Sequence, residues 1–538
     1  MTTGVRLATA GTAVQPPGPG ISADGKPDAA TFFAFILMAL GMFMAILDIQ
    51  IVAASLGQIQ AGLSASADEI AWVQTSYLIA EVVMIPLSGF LSRAIGIRLL
   101  FVLSCAGFTL ASLACALVTS IEAMIAARAV QGFVGGAMIP TVYAASFLMF
   151  GRSRQARVTV AISFIVTLAP TIGPALGGWL TGVLSWHWLF LINIIPGIFI
   201  TAGVALLVRF DDHPDPSLLR RVDLIGLVAL SLLCGGVVFV LEDGARRQWL
   251  DDQAVRAMAA IAFASALTLW WRIRNAPEPI ISFRPFTNLN FAAGALMGAV
   301  FGIGLYGLVY LYPLYLSRVA DLSSQQIGTT VFVTGLFMGI GAPLAGFLST
   351  RIDIRLLASL GFLLLAASTW ITTGITNEWR FEQLFWPQAL RGLGIMCCIV
   401  SVSVMAFATL PQAMIKDSTG LFTLMRNLGG AVGIAIINTM LAVRTNFHQA
   451  RLAESANPGR AEIAERLDMM TNMGLARGMA DPEGYALRAL AYMIHREALV
   501  MAIADAFLVL SIVFVAFALI PPFLQRPGTF SDPPPDTH

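Results

Sequence analysis

The run Ala169-Pro170-Thr171-Ile172-Gly173-Pro174-Ala175-Leu176-Gly177-Gly178-Trp179, set inside an apolar stretch from Val158 to Leu180, decides what kind of fold this chain adopts. Two prolines and three glycines so close together would break a helix in water, because proline removes a backbone donor and its ring clashes one turn back. A bilayer reverses that balance. With no water to satisfy the backbone, helix is the economical conformation, and neighbouring helices absorb the bend. Gly173 and Gly177 stand four apart on one face, and Pro170 and Pro174 on an adjoining face. The glycine pair predicts close approach of a second backbone, and the proline pair predicts a bend.

The composition agrees with a membrane protein. Of 538 residues, 57% are apolar and 12% charged, with a mean hydropathy of +0.79, whereas soluble domains carry about 25% charge. A net charge of +1, without any basic patch interleaved with aromatics, excludes a nucleic-acid partner. Cys105, Cys115, Cys234, Cys397 and Cys398 all fall in apolar runs and read as small core residues, neither disulfide framework nor metal site. His187, His213, His448, His495 and His538 are scattered, so no enzyme centre is expected and no cofactor beyond a proton gradient. Residues 1–31 and 522–538, rich in Pro and Gly, read as disordered cytoplasmic tails, the first lacking the pattern of a secretory signal.

Runs long enough to cross ~30 Å of hydrocarbon, about 20 residues each, fall at 32–56, 69–91, 99–118, 123–148, 157–180, 186–208, 223–241, 254–272, 290–316, 327–349, 356–375, 383–409, 418–443 and 499–521. These fourteen expected spans put both termini on one side. That side holds fourteen Lys and Arg residues in alternate loops, including Arg93, Arg98, Arg355 and Lys416. The opposite short loops hold only Arg246, Arg247, Arg256, Arg318 and Arg380, so both termini are expected in the cytoplasm.

A repeat organises the spans. Residues 89–100 (GFLSRAIGIRLL) and 346–357 (GFLSTRIDIRLL) agree at nine of twelve positions. Ala129-Val130-Gln131-Gly132 returns as Ala389-Leu390-Arg391-Gly392. The chain is thus expected to be all-α and integral to the membrane, with an N-terminal six-helix bundle (32–208), a central hairpin of two extra spans (209–289) and a C-terminal six-helix bundle (290–521). The polar segment 444–497 is placed on the periplasmic side as a folded cap, with short helices around Arg460–Met473 and Glu483–His495.

Ionisable groups at membrane depth are costly and mark function. Asp48 lies eight residues, or ~12 Å, from the outer end of the first span, and Arg128 lies ~8 Å in from the same side on the fourth. A carboxylate and a guanidinium at shared depth are reachable partners if those helices face each other. Glu81 sits near the midplane of the second span, where its charged form is expensive and a neutral one is the bland alternative to proton coupling. Asp505, early in the last span, is either an interfacial charge or part of that coupling. Arg391 and Arg426 read as structural partners of backbone carbonyls.

Several motifs carry a resemblance. A-P-x-x-G-P-x-x-G-G from Ala169 resembles the fifth-helix antiporter signature of the major facilitator superfamily, with Pro170, Gly173, Pro174, Gly177 and Gly178 in place. Leu47-Asp48-x-x-Ile51-Val52, Arg128-x-x-Gln131-Gly132 and Trp72-Val-x-Thr75-Ser76-Tyr77 resemble the first, fourth and second helices of its fourteen-span drug:proton antiporters, although Gln50 replaces the usual Thr. The repeated loop is similar to that superfamily's cytoplasmic motif in Gly89, Gly96, Arg98 and Arg355, but Arg93 stands where an acid is usual and Asp353 replaces a glycine. That puts an Asp-based latch in doubt. Arginines there either anchor topology or dock on a helix end.

The nearest likeness is to EmrB-type multidrug efflux pumps. It implies proton-driven export of amphipathic or hydrophobic compounds from the inner membrane, with a periplasmic adaptor of the EmrA type and a TolC-like outer-membrane channel. Tyr77, Gln131, Phe133, Tyr143, Tyr306, Tyr310 and Met396 are then expected around the substrate cavity, where Tyr faces and Met thioethers favour broad specificity. The alternatives are a dedicated exporter of one native metabolite, siderophore or lipid, and a proton-coupled importer of the same fold.

Overall fold

The computed structural model describes residues 29–525 except 151, 209–213, 222, 245–246, 248, 277–282, 323, 412–413 and 457–459; most of both expected tails therefore lies outside the described residues. Among the described residues every regular element is helical. The first bundle contains α1 (Ala29–Ala54), α2 (Leu56–Leu63), α3 (Ala67–Ile95), α4 (Ile97–Leu117), α5 (Ile121–Gly135), α6 (Met138–Met149), α7 (Arg152–Val183), α8 (Trp188–Leu191) and α9 (Ile194–Leu207). A hairpin of α10 (Leu224–Asp243) and α11 (Gln253–Asn275) follows. The second bundle contains α12 (Leu289–Arg318), α13 (Ser324–Arg351), α14 (Ile354–Thr372), α15 (Phe381–Phe407), α16 (Ile415–Ser455), α17 (Ala461–Ala476) and α18 (Pro482–Ala518).

Thirteen stretches among the described residues are long and apolar enough to cross a membrane. They match every expected span but one. The exception, 157–180, is less apolar overall, yet its residues form the unbroken 32-residue helix α7. At 1.5 Å per residue that helix is ~48 Å long, ample for a bilayer.

Apolar burial among the described residues falls into two clusters. One buried cluster runs from Ala34 to Val208, within the first bundle. The other gathers the second bundle, α10 and the later half of α3 from Val82 to Ala94. Helix α3 thus belongs to one bundle by connectivity and also buries a face in the other. The bundles meet where α7 packs on α13 and α15, and where α3 and α6 pack on α16; α10 lies against both α3 and α16.

The repeated loop shows how one motif is built from two chemistries. Gly96 joins α3 to α4 at φ +85°, a conformation that side chains disfavour. In the second copy Asp353 takes φ −58° and caps α14, its carboxylate accepting from the Arg355 N–H at 3.1 Å. The arginines keep equivalent duties. Arg98 donates to the Ala205 carbonyl near the end of α9, and Arg355 to the Leu524 carbonyl beyond α18 at 2.8 Å while pairing with Asp353. Arg98 thus satisfies a carbonyl in the last turn of α9, and Arg355 carbonyls of the short turn that follows α18. Arg93 offers its carbonyl to the Asp215 N–H at 3.0 Å, and Gly89 is buried.

Two expected boundaries shift. The fourth span divides into α5 and α6 at Gly136–Ala137. The separate helix expected at Glu483–His495 is instead the beginning of α18, because no Gly or Pro interrupts the chain between Gly484 and Ala518. Helix α16 likewise continues as far as Ser455. The segment between them holds α17, packed on α18 with Gly474 against Tyr485 and the Arg477 guanidinium donating to the Tyr485 hydroxyl at 3.1 Å.

Candidate functional site

Asp48 on α1 is completely buried, and three side chains from other elements bind it. Arg128 Nη1 donates to its Oδ2 at 2.6 Å. Asn193 Nδ2 and Gln131 Nε2 donate to Oδ1 at 2.7 and 3.2 Å. Gln131 also donates to Ser112 Oγ at 2.7 Å and accepts from Arg128 Nη1 at 2.7 Å. The guanidinium donates through Nε to the Val73 carbonyl at 3.2 Å and lies over the Tyr77 ring, 4.2 Å from its centroid. Of the guanidinium nitrogens only Arg128 Nη2 finds no acceptor among the described residues; the remaining bonds offset the several kcal/mol that desolvating two charges costs and their attraction alone does not return.

The shared depth of Asp48 and Arg128 was legible from span positions. Asn193 and Ser112 were not singled out. The available signal was Asn193 as the lone polar side chain in Phe190-Leu191-Ile192-Asn193-Ile194-Ile195, directly before α9.

The glycines of the antiporter signature do what their spacing predicted. A Cβ on Gly173 would collide with Gln50 Cβ, and one on Gly177 would lie 2.8 Å from the Ile51 carbonyl oxygen. Both contacts are on α1, two and three residues beyond Asp48. Helix α7 therefore presses on α1 beside the buried pair. Gly178 follows, half-buried, and the side chains of Pro170 and Pro174 lie outside the described residues.

Glu81 stands apart from Asp48. It is buried on α3 and accepts no hydrogen bond from the two guanidinium groups that act on its charge, first Arg426 of α16 and then Arg128. Arg426 was read as a structural residue; its charge also acts on Glu81 from the opposite bundle. Tyr306 of α12 feels Arg426, Glu81 and Tyr143 of α6, and its hydroxyl donates to Asn427 at 3.4 Å.

The expected cavity residues separate into groups. Tyr143 and Tyr306 sit where the bundles meet, and Tyr310 is half-buried one turn beyond Tyr306. Tyr77, Gln131 and Met396 are fully buried inside their own bundles, Tyr77 beneath Arg128 and Met396 where Gly341 of α13 approaches its Cβ. Phe133 is 40% exposed, on the α5 face that includes Val130. Asp505 is held within the second bundle by Arg444 Nε at 2.6 Å and His448 Nε2 at 2.8 Å, both from α16.

The second bundle also buries an arginine, but at the place the repeat gives to Gln131, with Gln388 where the first bundle has Arg128. Arg391 is buried over the Tyr312 ring at 5.4 Å and donates to Gln388 Oε1 at 3.3 Å, and its Nε finds no acceptor among the described residues. The pseudo-equivalent bundles therefore differ in charge at corresponding places.

Comparison with known proteins fits this architecture. The family model described as Major Facilitator Superfamily matches residues 32–434. The chain is 39% identical to the colistin resistance protein EmrB of Acinetobacter baumannii, covering 94% of this chain and 99% of that protein. It is 26% identical to the fatty acid resistance protein FarB of Neisseria gonorrhoeae over 94% and 99% of the two chains, and 27% identical to the multidrug export protein EmrB of Escherichia coli over 83% and 87%. Among solved structures, the human organic anion transporter MFSD10 superposes with a TM-score of 0.55 at 12% identity, covering 90% of this chain and 99% of that one. That likeness concerns the fold. Two pseudo-repeated helical bundles, a family match across most of the spans and a full-length relative at 39% identity place this chain in the Major Facilitator Superfamily.

Proposed function

We propose that this protein exports hydrophobic or amphipathic toxic compounds across the inner membrane in exchange for protons, with both termini in the cytoplasm. The observation that carries the reading is the fully buried Asp48, held by Arg128, Gln131 and Asn193 in a chain whose relatives bear the names of resistance and export proteins. A carboxylate enclosed at that depth is there to exchange a proton or a cation, since an apolar residue of the same volume would be cheaper. Asp48 and Glu81 are the proton-binding groups in this scheme, and Arg128 holds Asp48 in place.

With the bundles open inward, an amphiphile enters between them and rests on Tyr143 and Tyr306. Outward release lets protons reach the acids, neutralisation lowers the cost of enclosing them, and rocking of the bundles resets the pump. Helix α7, pressed on α1 through Gly173 and Gly177, seals the seam against proton leak. The α17–α18 cap is the surface offered to a periplasmic adaptor of the EmrA type, which would lead to a TolC-like outer-membrane channel.

The test is exchange in proteoliposomes under an imposed pH gradient, with a panel of unrelated amphiphilic drugs. Wild-type protein is expected to acidify the lumen as drug moves outward, and Asp48→Asn to remain folded without exchange. Normal exchange by Asp48→Asn removes that residue from coupling. Transport of a single compound out of the panel replaces broad export with a dedicated exporter.

A further inference from the structure

The two buried acids differ in where their counter-charges are attached. Every side chain that binds Asp48 belongs to the first bundle, so the Asp48–Arg128 pair moves as one body when the bundles rock. Glu81 is also anchored in the first bundle: a Cβ on Gly136 would lie 2.7 Å from its carbonyl oxygen, which fixes α3 against the α5–α6 junction. Its strongest opposing charge, Arg426, belongs to the second. A Cβ on Gly302 would strike the Arg426 carbonyl, so this part of α16 is seated on α12.

The register at the seam agrees. A Cβ on Gly420 would lie 3.4 Å from the Ile85 carbonyl oxygen, and as the second and thirteenth of the expected fourteen spans the two helices run in opposite directions. Six residues along α16 from that crossing, ~9 Å, is Arg426; four back along α3, ~6 Å, is Glu81. Arg426 Nε has no acceptor among the described residues, so the guanidinium retains capacity for a carboxylate. Among the described residues the other ionisable groups that interact with Glu81 are Arg128 and Tyr77 in its own bundle and Tyr306 at the seam, itself beside Tyr143. Helix α10, which also flanks α3, carries its acidic residues only at its final turn.

We propose that Glu81 and Arg426 form a charge pair across the two bundles that only one arrangement of the bundles allows, so that rocking itself switches how Glu81 holds a proton. Arg426 acts here as a positioning residue. In the joined arrangement the guanidinium favours the carboxylate; a proton arriving at Glu81 cancels the attraction, and the bundles part at α3 and α16. The Asp48–Arg128 pair does not bridge the seam, because the partners of Asp48 among the described residues all lie in the first bundle. The inference rests on the proposed proton-driven cycle and adds the contact through which a proton moves the bundles.

The test measures bundle separation in full-length protein reconstituted in lipid. Spin labels at Ser185→Cys and Glu378→Cys report the distance between bundles, the five native cysteines being buried. In wild type the distance distribution is expected to shift between acidic and alkaline buffer. Glu81→Gln, which keeps the shape of the protonated acid, and Arg426→Gln are expected to lose that shift and show the acid-state distribution throughout. Arg426→Lys keeps the shift.

A wild-type distribution that ignores pH, or a Glu81→Gln distribution that still follows it, overturns the proposal. If Arg426→Gln does not give monodisperse protein, the Glu81→Gln arm decides alone. No exported compound is needed here. A pH-driven distance change without drug exchange in proteoliposomes would therefore overturn the export reading and leave this pair standing, and the converse result would overturn the pair alone.

Discussion

Arg128 Nη1 lies 2.6 Å from Asp48 Oδ2 with both side chains fully buried, and 80 residues of chain separate the two. That single contact ties α1 to α5, and the amides of Gln131 and Asn193 extend it to the start of α9. The site is therefore also a structural staple, and its variants must be judged on folding and on exchange separately.

Removing the charge of Asp48 leaves a buried guanidinium without its anion, a loss of about 3–5 kcal/mol when the partner's shape is also lost. Asp48→Leu is expected to lower the unfolding temperature in detergent more than Asp48→Asn, which keeps an oxygen for Arg128. The double variant Asp48→Asn/Arg128→Gln should recover thermal stability relative to Asp48→Leu while exchange in proteoliposomes stays absent.

Arg391 has no carboxylate to lose. Arg391→Met is expected to be neutral or stabilising in a thermal unfolding assay, whereas Arg128→Met should cost about 3–5 kcal/mol because it abandons Asp48. Equal losses in the two variants would show that Arg391 has an ionic partner after all.

Close helix approach depends on particular glycines. A Cβ on Gly132 would run into the Tyr77 backbone, which cannot step aside, and one on Gly177 would lie 2.8 Å from the Ile51 carbonyl oxygen. Gly132→Ala and Gly177→Ala should each cost about 1–3 kcal/mol through forced backbone shifts. Gly182→Ala meets nothing within 4 Å and serves as the control, with unchanged or slightly higher stability. Yield of monodisperse protein on size exclusion ranks the three.

Asp505 joins α18 to α16 through Arg444 and His448. Asp505→Asn is expected to loosen that junction and speed proteolysis between α16 and α17, with proton-coupled exchange retained. Loss of exchange at unchanged proteolysis would instead make Asp505 part of the coupling machinery.

Much of this architecture was readable before any coordinates. Span lengths, the repeat at 89–100 and 346–357, and the tight face at Gly173 and Gly177 follow from what a bilayer demands of any chain: helices of fixed length, polar groups kept inside, and small residues where backbones touch. Even the shared depth of Asp48 and Arg128 followed from rise per residue. Helix ends beyond the membrane were harder, because the polar start of α18 carries no stop signal to separate it from the span that follows.

The amino-acid sequence by itself determined that this is a two-bundle membrane protein with buried acids at defined depths, since length, apolarity and periodicity are local properties. Tertiary structure alone decided which side chains those acids meet: Asn193 and Ser112 around Asp48, and Arg426 facing Glu81 from the other bundle. The physical reason is that rise along a helix sets depth, whereas the rotation and crossing of helices set partners, and these emerge only when every face of every helix is packed against another.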